Sequence, residues 1–326
     1  MVRLVNIRFR NICAILRVEV RMDLTLRTAL QNYHRNLIAE NKTPKTIEGY
    51  MDGLKVWVQD IGPDRMVSSL NIADVQEHII SLRTKPGITT GSLMSSHSIA
   101  KRYAVIRTFV RWLHVHGWLP SLILDGYQAP KISNELPSPL SPDEVARLFV
   151  LLRNHSFRDK VIIEFFLDTG VRLEELAGLT MNRLDLDDGW ATVIGKGRKT
   201  RRVPLGPILV RDLFEYVSVH RKPKHKDEAI VFLSEHGETH GCAFKYEGVR
   251  QMVDRLLTEI RVTGKHGAHT LRHTFATMYL RNGGSLEGLR IILGHTDIKV
   301  TQRYIHLLGS DVQNEHLRVS PLESLR

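Results

Sequence analysis

The apolar residues Leu26, Leu30, Tyr33 and Leu37 recur at intervals of four, three and four, which places them on one face of a helix that begins near Leu24. Thr43-Pro44 opens a second helix, with Thr as N-cap and Pro in the first turn, and Ile47, Tyr50, Leu54, Trp57 and Ile61 continue its apolar stripe. The pattern predicts a third helix from about Ala73 to Leu82. A fourth runs from about Ser98 to His116, with Ile99, Tyr103, Ile106, Val110 and Leu113 turned inward and Lys101, Arg102, Arg107 and Arg111 assigned to its polar side.

The helical pattern then breaks. Pro120, Pro130, Pro137, Pro139 and Pro142 are five of the twelve prolines in the chain, so residues 120–138 read as a linker. A second domain starts at residue 139, where Ser141-Pro142-Asp143-Glu144 has the form of a capping box. Val161 to Leu167 give a buried helix that runs into a Thr169-Gly170 turn. Between Leu184 and Leu205 the period shortens: Asp188-Gly189 signals a hairpin, and Trp190 to Ile194 and Thr200 to Pro204 read as strands, with Lys196 at the turn between them. Helical spacing returns at His269, stops at Gly283-Gly284 and restarts with Ser285 as N-cap before Leu289, Ile292 and Leu293. The expected fold is mainly α with one small antiparallel β-sheet, in two domains, residues 23–119 and 139–326.

Length and composition agree with that division. A chain of 326 residues exceeds what one core usually organises, and 42% apolar residues suffice for two. The net charge of +11 points to a polyanionic partner, nucleic acid above all, and both parts share it: 18 Lys and Arg against 11 Asp and Glu in residues 1–135, 28 against 24 beyond. Cys13 and Cys242 have no metal-ligand or disulfide-framework spacing, which favours a reduced cytoplasmic protein. No stretch approaches the roughly 20 uninterrupted apolar residues that cross a bilayer. Residues 1–22 are a basic extension whose arginines interrupt any signal-peptide core; Met22 is an alternative start, with the preceding residues an upstream extension of the reading frame.

The candidate chemistry lies in four segments: Thr169-Gly-Val-Arg172-Leu-Glu-Glu175, the basic hairpin around Lys196, His269-Thr-Leu-Arg272-His273, and Leu293-Gly-His295 followed nine residues later by Tyr304. A phosphodiester under attack needs a nucleophile, fixed positive charge on its non-bridging oxygens and a proton for the departing oxygen, and Tyr, Arg, His and Lys supply all three with no metal or other cofactor. Arg172 and Arg272 fit the non-bridging oxygens, because a guanidinium fork matches phosphate and stays charged. A phenol of pKa near 10 is about one part in a thousand ionised at neutral pH, so Tyr304 needs a proton acceptor, and His269 is the expected partner. Glu175 would steady Arg172, and His273 is either a supporting or merely a packed histidine. The cations Arg198, Lys199, Arg201 and Arg202 crowd the hairpin, and the plain alternative for them and for Lys196 is a flexible loop that touches DNA backbone only.

In order and in flanks, Arg172, Lys196, His269, Arg272, His295 and Tyr304 resemble the tyrosine recombinases, phage integrases and Xer-type proteins among them, over roughly residues 24–310. That resemblance implies a helical core-binding domain, with Lys101, Arg102, Arg107 and Arg111 on DNA, and an α+β catalytic domain, the two forming a C-shaped clamp on double-stranded DNA. It also implies strand cleavage through a 3′-phosphotyrosyl link, Lys196 as the acid for the leaving 5′ oxygen and His295 as a hydrogen-bond donor to the phosphate. Two protomers would fill one site and a tetramer two sites, in a cytoplasmic, nucleoid-associated enzyme. A type IB topoisomerase and a catalytically silent DNA-binding accessory protein are the alternatives. Beyond Tyr304, the set Val312, Leu317, Val319 and Leu322 suggests a tail that packs on a neighbouring protomer, or else a frayed terminus.

Overall fold

The structure, a computed structural model, describes residues 23–86, 91–130, 138–264, 266–304, His316 and Ser320; for Lys196 it describes the backbone only. The expectations for residues 1–22, for part of the linker and for the tail set fall outside these residues. The chain divides into two compact units, residues 1–134 and 135–326.

The first unit holds α1 (Leu26–Ala39), α2 (Pro44–Ile61), α3 (Ile72–Thr84) and α4 (Ser96–Val115). Each starts on a side chain that satisfies an otherwise orphaned backbone donor: the hydroxyl of Thr25 accepts from Thr28 N–H, Thr43 from Thr46, Ser95 from Ser98, and Asn71 with Asp74 forms a capping box. The apolar stripes then close on one another around Leu26, Tyr33, Leu54, Trp57, Ile106, Phe109 and Leu113. Trp57 is fully buried, and its indole N–H donates to the Asp74 carbonyl, so the ring ties α2 to α3.

In the second unit, α5 (Pro142–Leu152) begins on the expected Ser141–Glu144 capping box. Then come α6 (Phe157–Thr169), α7 (Leu173–Ala177), a sheet of β1 (Leu184–Asp185), β2 (Trp190–Ile194) and β3 (Thr200–Pro204), α8 (Pro207–Glu215), α9 (Tyr246–Glu259), α10 (Ala268–Arg281), α11 (Leu286–Leu293) and α12 (Ile298–Gln302). The sheet is antiparallel in the order β1-β2-β3, and Ile194 pairs with Thr200 across the hairpin that carries Lys196. α6 buries Val161, Ile162, Ile163, Phe165 and Phe166 on every side, which makes it the central helix, with α10 packed along it. The composition-poor stretch 206–267 supplied no sequence expectation, yet it forms α8 and α9, whose apolar residues Leu209, Leu213, Val249, Val253, Leu256 and Leu257 complete the same core.

α6 ends at Gly170, in the left-handed region at φ 59°, and a Cβ there would lie 2.3 Å from Phe275 Cδ1. No other residue can turn the chain here without displacing α10. Gly170→Ala is expected to cost about 2–4 kcal/mol, from left-handed backbone strain plus overpacking, as measured by urea denaturation. Native stability in that variant would mean the turn and the α6–α10 seam are not coupled.

Candidate active site

The Gly170 turn delivers Arg172 to the N-cap of α7. There its backbone N–H donates to Glu175 Oε2 at 2.8 Å and its Nη1 to Oε1 at 2.9 Å. Glu175 is 2% exposed and receives a second arginine from β3, with Arg201 Nη1 at 2.6 Å and Nη2 at 2.8 Å. Burial pushes the Glu175 carboxyl up, but the donors from Arg201 and Arg172 outweigh it and bring it down to about 2. Arg201 also donates from Nε to the Ile292 carbonyl at 2.7 Å, so one guanidinium binds β3 to α7 and to the end of α11. Gly294, at φ 66°, leaves room for this: a Cβ there would stand 2.8 Å from Arg201 Cδ.

Arg272, on α10, is 5% exposed. Its Nη1 donates to the Gly170 carbonyl at 2.6 Å, and Nη2 lies 2.9 Å from the Leu293 carbonyl and 3.0 Å from His295 Nε2. Burial, and then the charge of Arg172, lower its pKa to about 10, which leaves it cationic at neutral pH. His295 Nδ1 faces the hydroxyl of Thr301 at 2.9 Å. Tyr304 is 3% exposed, and its hydroxyl meets His273 Nδ1 at 2.8 Å. Burial raises the phenol's pKa, against the pull of Arg272, Arg303 and Arg172. His273 and His295 are each lowered to about 4, first by burial and then by neighbouring positive groups, so both rings are neutral at pH 7. His269 is lowered too, by desolvation and by Arg272 and Arg172.

Arg172, His269, Arg272, His295 and Tyr304 therefore come together, with Glu175 as the carboxylate behind them. The Lys196 backbone sits at the β2–β3 turn, where Gly195 N–H bonds the Lys199 carbonyl and Gly197 has φ 74°. Arg198, Lys199 and Arg202 are exposed, Arg202 with its guanidinium 4.8 Å from the centre of the Trp190 ring.

Two expectations need correction. Arg201 is not a free DNA contact: its side chain is 13% exposed and fully engaged with Glu175 and Ile292. The sequence held the signal, since Arg201 shares a strand face with buried Val203. Arg102 leaves the exposed stripe of Lys101, Arg107 and Arg111, because helical spacing puts it in line with Ile106, Phe109 and Leu113; it is half-buried, and its Nη1 is enclosed without a hydrogen-bond partner among the described residues. The Tyr304 hydroxyl rests on His273, one helical turn along α10 from His269. Thr301, which the sequence gave no reason to select, lies fully buried against His295. No group of three or more His, Cys, Asp or Glu among the described residues could hold a metal ion, and no described helix is long and apolar enough to cross a membrane.

Buried Arg272 and part-exposed Arg172 thus lie beside a tyrosine and neutral histidines on a mainly helical domain, the groups that phosphoryl transfer requires. Residues 139–310 match the phage integrase family, and the chain belongs to that family of tyrosine recombinases, site-specific enzymes that cleave and rejoin DNA strands. Tyrosine recombinase XerD of Staphylococcus aureus is 30% identical over 310 residues, covering 91% of this chain and 99% of the relative. The Tn1549 transposon integrase in complex with a circular intermediate DNA has a similar fold, with a TM-score of 0.72 at 19% identity over 86% of this chain and 95% of that one. A lambda integrase dimer bound to a COC′ core site gives a TM-score of 0.71 at 17% identity, over 90% of this chain and 80% of that one. The expectation of a tyrosine recombinase is thereby borne out.

Because the folded-state pKa of Glu175 is depressed from 4.5 to about 2, its contribution is fully present above pH 4.5 and is lost as pH falls through about 2. Glu175→Gln is expected to be about 2–3 kcal/mol less stable at pH 7, with a gap that narrows as the pH drops below 4.5. Denaturant titrations at several pH values check this, and a gap independent of pH would remove the carboxylate's charge from the stability of the unit.

Proposed function

We propose that Tyr304 attacks the scissile phosphate to form a 3′-phosphotyrosyl link and a free 5′ hydroxyl, while Arg172 and Arg272 neutralise the non-bridging oxygens. The convergence of both arginines with Tyr304 carries this reading: the charge of Arg172 lowers the pKa of Arg272, and Arg272 and Arg172 both pull on the phenol. In the free enzyme Tyr304 is buried on His273, so it turns outward to react. His269, beside Arg172 and Arg272, then takes its proton. His295 donates to a phosphate oxygen, and Lys196, at the hairpin turn, protonates the leaving 5′ oxygen.

DNA binding belongs to residues 23–119 through Lys101, Arg107 and Arg111, and to the hairpin through Arg198, Lys199 and Arg202, all of them exposed. Their contacts are mostly to phosphate, with the salt dependence that counterion release brings. Two protomers occupy one site and four join two sites, as lambda integrase forms a dimer on a core site and a tetramer on a Holliday junction. Acting on DNA puts the enzyme in the cytoplasm, at the nucleoid.

The cleavage site is mapped by sequencing fragmented genomic DNA trapped covalently on the protein. On a nicked suicide duplex of that sequence, Tyr304→Phe is expected to bind with native affinity and form no adduct; adduct at the native level would give the nucleophile's role to another residue. Lys196→Ala is expected to cleave poorly on the natural duplex and to recover on a 5′-bridging phosphorothioate, whose sulfur leaves without a proton. Equal failure on both substrates would reassign the acid.

A further inference from the structure

The hydrogen bonds around His295 fix its tautomer. Arginine has donors only, so the 3.0 Å contact between Arg272 Nη2 and His295 Nε2 requires a lone pair on Nε2. A neutral ring then carries its proton on Nδ1, and Nδ1–H donates to Thr301 Oγ1 at 2.9 Å. In this state Nε2 cannot donate to a phosphate. To serve the reaction it must acquire a proton, and the cations Arg272, Arg172 and Arg201 around the ring oppose the doubly protonated form.

A hydroxyl both accepts and donates, and Thr301 is fully buried, so no water substitutes for it. We propose that Thr301 is the positioning residue that lets His295 present opposite tautomers before and after the scissile phosphate arrives. Its hydroxyl accepts from Nδ1–H in the free enzyme and donates to bare Nδ1 once Arg272 has turned to the phosphate and Nε2–H points at an oxygen of it. The proton count does not change: Nδ1 gives one proton to solvent and Nε2 takes one from it, at a ring that is only half-buried. The free enzyme is thus held with His295 in its accepting form, and arrival of the phosphate, by drawing Arg272 away, releases the donating one. Val in place of Thr301 keeps the shape and loses the switch, whereas Ser keeps the hydroxyl. The proposal rests on His295 being a phosphate donor.

Two measurements on the full chain test it. In protein labelled with 15N-histidine, His295 is expected to show Nδ1–H and bare Nε2 when free, and Nε2–H with bare Nδ1 in the Tyr304→Phe complex with the mapped duplex. Retention of Nδ1–H in that complex, whether the ring is neutral or doubly protonated, overturns the switch. In single-turnover cleavage, Thr301→Val is expected to be about 10- to 100-fold slower at unchanged DNA affinity, the range for one lost hydrogen bond to a reacting centre, and Thr301→Ser to stay within about threefold of native. A Val variant as fast as native, or a Ser variant as slow as Val, also overturns it. His295→Ala separates the two levels: native cleavage by that variant would remove His295 from the phosphate, while slow cleavage by it alongside an unimpaired Thr301→Val would refute only the role of Thr301.

Discussion

The buried carboxylate of Glu175 is the constraint on which the site depends. It accepts four hydrogen bonds, two from Arg172 and two from Arg201, and is nearly excluded from solvent. A carboxylate so buried is costly unless every lone pair is occupied, and removal of one arginine would leave charge unpaired. The pairing therefore dictates where α7, β3 and the end of α11 can lie, and those are the elements from which Arg172, the Lys196 hairpin and His295 project. Arg272 does the same work from α10 by holding the carbonyls of Gly170 and Leu293. The positions of the proposed reacting groups are thus consequences of two guanidinium networks that face inward, toward protein oxygens, as well as outward.

The same networks set the electrostatics. Arginine charge accumulates around a space whose histidines are neutral and whose tyrosine is harder to ionise than in water. Such a distribution of charge suits the proposed dianionic transition state: burial favours the protonated Tyr304 on His273, and an incoming phosphate would compensate the positive charge.

Much of the fold was legible because local chemistry and periodicity agreed. Thr43-Pro44, the Ser141–Glu144 box, Ser285 and the strands flanking Lys196 all appear where capping and alternation put them. The proposed reacting residues were selected by their flanks, and the fold brings Arg172, His269, Arg272, His295 and Tyr304 into one region. What failed was the choice of direction among neighbours. Arg201 and Arg102 were grouped with adjacent cations by composition, although the strand period in one case and the helix period in the other turned them inward. His273 and His269 lie one helical turn apart on α10, and spacing alone cannot decide which of them meets a tyrosine 31 residues further on. Thr301 could not be found from sequence at all, since its part depends on the tautomer of a ring fixed by an arginine from another helix.

The central claim is that this arrangement activates the Tyr304 oxygen against a phosphate. Peptide mapping by mass spectrometry of the covalent adduct formed on the mapped suicide duplex tests it most directly. A 3′-phosphodeoxynucleotide on the peptide that contains Tyr304, with a free 5′ hydroxyl on the released strand, is the expected result; a nucleotide on any other residue, or a 5′-phosphate link, would contradict the account.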